Sequence, residues 1–234
     1  MAANPPAGQR SITGSVVPLH GRRAGAAAGS PGRAARHGLD YTYANYQQGL
    51  CPVQWTNTSP ITVRVVDGGP ADGRQVVRDL CRQLHDLTDL RIEPGAPLPT
   101  GAGLEHLDDQ TIAVAFMTLN ELAAFSHRHP MVLRDRASGH CKTRIDRRSG
   151  RYSGAFVAVL QAPSDSAQKA LRDLRHQLGH ALGLGHARTR HQLMSVSPAP
   201  GLIDFAAADV WALHHLYRSR PTDEATQQLI CTLN

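Results

Sequence analysis

The stretch His176 to Met194, HQLGHALGLGHARTRHQLM, constrains this chain more than any other. His176 and His180 stand four residues apart, so on a helix both imidazoles leave one face a single turn apart. Two ligands of one tetrahedral metal need that spacing. Gly183 gives the helix a place to stop, because glycine takes the left-handed conformation that ends a helix without steric cost. The reversed chain can then bring His186 up as a third nitrogen ligand. Three neutral histidines with an open fourth position describe a catalytic zinc site. A structural zinc closes all four positions, and no fourth ligand follows at suitable spacing.

On these residues the chain resembles the metzincin peptidases, whose zinc signature is H-E-x-x-H-x-x-G-x-x-H. His176, His180, Gly183 and His186 match it, and Met194 falls where the matrixin branch places its Met-turn. One residue departs: Gln177 occupies the position of the glutamate that serves as general base. The resemblance implies a matrixin-like α/β domain, a twisted mixed five-stranded sheet with three main helices. It also implies one catalytic Zn2+ in a cleft and a peptide or protein substrate hydrolysed by zinc-activated water. A carboxylate takes the water's proton and hands it to the leaving amine, whereas a carboxamide orients the water but cannot accept its proton. Losing a general base costs on the order of 10²–10⁴ in rate, so strongly impaired peptide hydrolysis is expected. Two readings follow: a zinc metalloendopeptidase-type domain with impaired turnover, or a pseudopeptidase that holds zinc and binds peptide or protein partners.

The composition suits one full domain plus a tail, with 41% hydrophobic and 19% charged residues in 234. No run approaches the ~18 apolar residues of a membrane span. The net charge of +6 comes almost wholly from arginine, since Lys142 and Lys169 are the only lysines. The one dense basic stretch, Arg134 to Arg151, lacks interleaved aromatics, so a solvated loop is expected rather than a nucleic-acid surface. No nucleic-acid or membrane partner is implied, and a monomer is expected. Cys51, Cys81, Cys141 and Cys231 are an even number without a C-x-x-C pair, which favours disulfides. Of three connectivities, Cys51 with Cys231 and Cys81 with Cys141 is the preferred one; four reduced buried thiols is the alternative. The cysteines and the resemblance together suggest an extracellular protein, although residues 1–36 contain no apolar core of a signal peptide.

Residues 1–38, rich in Ala, Gly, Pro and Arg, have too few large apolar side chains to offset their ordering entropy and read as a disordered leader or linker. Residues 39–234 form the domain. No cysteine matches the P-R-C-G-type motif that keeps many matrixins latent. Ile61 to Val66 alternates like a strand, Ala71 to Asp89 repeats its apolar residues at helical spacing, and strands are expected at Leu90 to Glu93, Thr111 to Thr118 and Gly154 to Gln161. The neighbour of the last strand toward the cleft should be the edge that a peptide joins as an added strand. Phe125 to Tyr152 reads as a polar insertion whose His127, His129 and His140 are exposed; their spacing does not reproduce the second zinc site of matrixins. Glu105, Asp108 and Asp109 lie in a loop where matrixins can hold Ca2+, but solvated acids are the expectation.

Ser164 is the expected N-cap of the helix that carries His176 and His180, with Leu171, Leu174, Leu178 and Leu182 on its core face. Asp173 lies one turn before His176, either a surface acid or a surrogate base. His191 is a spare histidine of the loop before Met194. Where many matrixins have a proline two residues after that methionine, Ser195, Val196 and Ser197 come before Pro198. Asp204 to Tyr217 resembles the closing helix of the family, Asp209 and Tyr217 matching its D…LY pattern.

Overall fold

A computed structural model of the chain describes residues 12–15, 41–44, 46–47, 51–128, 139–162 and 165–217. In chain order the elements are β1 (Ile12–Ser15), β2 (Tyr41–Tyr43), β3 (Tyr46–Gln47), β4 (Cys51–Pro52), β5 (Ile61–Val65), α1 (Gly73–Thr88), β6 (Ile92–Pro94) and β7 (Thr111–Met117). There follow α2 (Leu119–Arg128), β8 (Gly139–Ile145), β9 (Tyr152–Leu160), α3 (Ala167–Ala181), β10 (Leu184–Ala187) and α4 (Ala207–Tyr217). The fold is mixed α/β, as expected. Five strands of the domain make the main sheet in the order β8-β9-β7-β5-β6, and β1 from the leader adds a sixth beyond β8. β6, β5, β7 and β9 run parallel, while β8 is antiparallel to β9 and β1 antiparallel to β8. The leader therefore contributes a strand where only disorder was expected.

Burial explains the order. β7 (TIAVAFM) and β9 (YSGAFVAVL) are buried along nearly their whole lengths, the pattern of central parallel strands covered on both faces. On one face Val63, Ile112, Val114 and Val157 pack with Val77, Leu80 and Leu84 of α1 and with Leu174 and Leu178 of α3. On the other, Ala113, Ala115, Phe156 and Ala158 meet Leu122 and Phe125 of α2, and the Phe125 and Phe156 rings stack at 4.8 Å.

Two elements lie partly or wholly within the span of the expected polar insertion, residues 125–152. α2 makes a fourth helix, and Gly139–Ile145 (GHCKTRI) is the strand β8 between β9 and β1, with Gly139, Cys141 and Thr143 buried and His140, Lys142 and Arg144 less so. Alternation with period two is the signature of a strand with one covered face, and the density of basic residues masked it. Arg144 is an anchor and not a solvated charge. Its guanidinium donates to the carbonyls of Leu104 and Leu107 and to Ser153 Oγ, and pairs with Asp109 at 2.9 Å. Asp108 faces Arg64 at 3.7 Å.

The expected Cys81–Cys141 disulfide is absent: both are buried free thiols, and burial pushes the Cys81 thiol up to about 12. The topology forbids the bridge. Cys81 lies on α1, which packs over β5 and β6, whereas Cys141 is on β8, three strands from β5. Strands are spaced by about 4.8 Å, so the gap far exceeds the ~7 Å between Cα atoms that a disulfide can span. The Cys51–Cys231 pairing lies outside the described side chains.

α3 is capped by Ser166, two residues later than expected, whose Oγ accepts from Lys169 N at 3.2 Å; Ser164 lies outside the described residues. At the other end, Trp55 Nε1 donates to the carbonyl of Ala181 at 2.8 Å and the Tyr217 hydroxyl to that of Leu182 at 2.6 Å, satisfying carbonyls the helix leaves open. Gly183 then turns the chain with φ +99°, as its place after the helix demands. A Cβ there would meet Val53 O at 3.2 Å and Leu216 and Tyr152 at 3.3 Å. Replacing Gly183 by Ala is expected to cost about 1–3 kcal/mol in urea unfolding; an unchanged midpoint would mean that the turn is not strained.

Candidate metal centre

α3 carries His176, Gln177 and His180, and after the turn at Gly183 the short strand β10 carries His186. The structure brings the three histidines together. His180 Nε2 lies 3.0 Å from His176 Nε2 and 3.2 Å from His186 Nε2, and one ring nitrogen from each falls within 4.8 Å of the others. Nitrogens held by one zinc at ~2.0–2.1 Å in a tetrahedron stand about 3.3 Å apart, so the trio has the dimensions of a metal site. Among the described residues no fourth His, Cys, Asp or Glu joins the group. His191 is exposed and outside it.

The backbone fixes which nitrogens converge. His176 Nδ1 is 2.8 Å from the carbonyl of Leu193, and His180 Nδ1 is 2.7 Å from the carbonyl of Leu184. A carbonyl only accepts, so each Nδ1 carries the proton and each Nε2 of a neutral ring presents a lone pair. Burial holds both rings neutral: it lowers the pKa of His176, and burial with the neighbouring histidines drives that of His180 well below the ordinary value. Lone pairs facing one another at 3.0 Å repel, and a cation between them removes the conflict. The residues therefore fit a metal ion.

Met194 and Asp209 support this arrangement. Met194 is fully buried, and a Cβ on Gly179, between the two helical ligands, would collide with its Sδ. The thioether thus packs directly beneath the helix backbone. Asp209 is wholly buried, and its carboxylate accepts from Leu193 N at 2.9 Å, Met194 N at 3.2 Å and Ala206 N at 2.7 Å. Burial pushes its pKa up, against the three N–H groups. Asp209 thereby holds the peptide whose carbonyl orients His176. Sequence reading matched Asp209 to a pattern but missed this task; an acid in the first turn of an apolar helix was the available signal.

Gln177 is buried beside β8: a Cβ on Gly139 would stand 3.0 Å from Gln177 Cγ. Asp173 is not a surface acid. Its side chain is 3% exposed and clamped by Lys169 at 2.9 Å and Arg172 at 3.0 Å, so it serves an ion cluster and cannot act as a mobile base. His140, expected to be exposed, lies on β8 with a buried Nε2, and burial lowers its pKa to about 4. The side chains of His127 and His129 lie outside the described residues. Val196, in the loop after Met194, is exposed. No protein-family profile and no curated protein matches the chain.

Removing the Asp209 carboxylate leaves three buried N–H groups without their acceptor. Asp209→Ala is expected to lose at least about 3 kcal/mol in chemical denaturation, with zinc retained less tightly. A loss below about 1 kcal/mol would show that the turn holds itself.

Proposed function

We propose that the chain is a zinc-binding domain of the matrixin peptidase type, its peptide hydrolysis strongly impaired by Gln177. The observation that carries the reading is the convergence of the Nε2 atoms of His176 and His180 on α3 with that of His186 on β10, next in the chain to Gln177 on a helix packed against β8 of the mixed sheet. Three imidazoles and no thiolate suit zinc better than softer metals. When bound, zinc would supply Lewis-acid polarisation of a carbonyl and of water.

The chain's own residues set what that chemistry can achieve. The Gln177 carboxamide can hold a water by hydrogen bonds but cannot take its proton. Asp173, the nearest carboxylate in sequence on the same helix, is neutralised by two cations. Neither Gln177 nor Asp173 therefore supplies a proton carrier for a departing amine. An extended peptide would pair with the part of β8 nearest Gln177, Gly139 to Cys141, because β1 covers the outer edge from Lys142 to Ile145. A neutral residue at the general-base position also favours a second reading, in which the groove binds a peptide or protein partner without turnover.

Turnover of Gln177→Glu separates the two. The variant should hydrolyse peptides at least ~10²-fold faster than the parent, and esters, whose leaving groups depart without a proton, should gain less. The ratio of ester to peptide hydrolysis should therefore fall. Unchanged turnover in a folded, zinc-loaded variant would favour the binding reading, and equal gains on both substrates would assign the glutamate to activating water rather than to protonating the amine.

A further inference from the structure

His176 and His180 are placed relative to each other by one helix, but His186 depends on whatever holds β10. That strand belongs to no part of the main sheet. On one side Ala187 N donates to Met194 O at 2.9 Å and Ala187 bridges Ser195 in parallel. On the other side lies β2, with Tyr43 opposite Leu184 and Tyr41 opposite Ala187, the register shifting between them where His186 sits. The next residue, Ala44, donates its N–H to the carbonyl of Gly183 at 2.8 Å, at the turn that starts the strand. A segment from the very beginning of the domain thus spans the whole length of the ligand-bearing strand, from Gly183 to Ala187.

We infer that Tyr41–Ala44 is a positioning clip for the third ligand, so that docking of this segment and metal binding are one coupled equilibrium. The inference rests on the reading of the three histidines as a metal site. Its physical basis is that a ligand on a four-residue strand has a defined position only while both flanks of that strand are paired. Loss of groups that orient metal ligands costs about 10–100-fold in affinity. Linkage makes the effect reciprocal: if docked Tyr41–Ala44 tightens the metal, the metal tightens docking by the same factor.

The test compares the full chain with chains lacking residues 1–38 or 1–44, titrated with Zn2+ against a chromophoric chelator. Removal of 1–38 leaves the clip and should keep the affinity of the full chain, whereas removal of 1–44 should weaken it by about 10-fold or more. Ala44→Pro, which deletes only the N–H that reaches Gly183, should weaken zinc in the same direction if the longer truncation fails to fold. Hydrogen exchange on the full chain supplies the reciprocal measurement: Zn2+ should slow exchange at residues 41–44, and should not do so in His186→Ala. Equal zinc affinity with and without the clip, or exchange at 41–44 indifferent to zinc, would overturn the inference. A full chain that binds no zinc would instead overturn the metal assignment beneath it.

Discussion

The site depends on two backbone carbonyls. By taking the Nδ1 protons of His176 and His180, the carbonyls of Leu193 and Leu184 commit the opposite ring nitrogens to face one another with lone pairs. Burial then keeps those rings from relieving the repulsion by protonation. The packing that buries the two rings thus also keeps them in the neutral form that can ligate a metal.

Much of the architecture serves to deliver those two carbonyls. Leu184 follows Gly183, whose positive φ reverses the chain at the end of α3 under the hydrogen bonds from Trp55 and Tyr217. Leu193 is held by Asp209, a buried carboxylate from α4. Residues more than a hundred positions apart therefore converge on one helix end, and the sheet supplies the rigid face against which α3 packs its leucines. Gln177 shares this environment.

The three clustered histidines were legible because their spacing is a local property: four residues on a helix, a glycine, three residues more. The buried strands β7 and β9 were legible for the same reason, as continuous apolar runs. β8 was missed because charge outweighed pattern, the alternation of Cys141 and Thr143 with Lys142 and Arg144 being hidden in a basic stretch. The Cys81–Cys141 pairing failed because evenness of number says nothing about which element each residue occupies. Nothing local marks Tyr41–Tyr43 as a partner for β10, or Asp173 as the centre of an ion cluster; such facts arise only when the chain is folded and distant segments meet.

X-ray absorption at the zinc edge on the metal-loaded chain tests the central claim most directly. The expected result is one zinc surrounded by three imidazole nitrogens at about 2.0–2.1 Å with no sulfur scatterer. A shell at the ~2.3 Å of zinc–thiolate bonds, or fewer than three imidazoles, would contradict it.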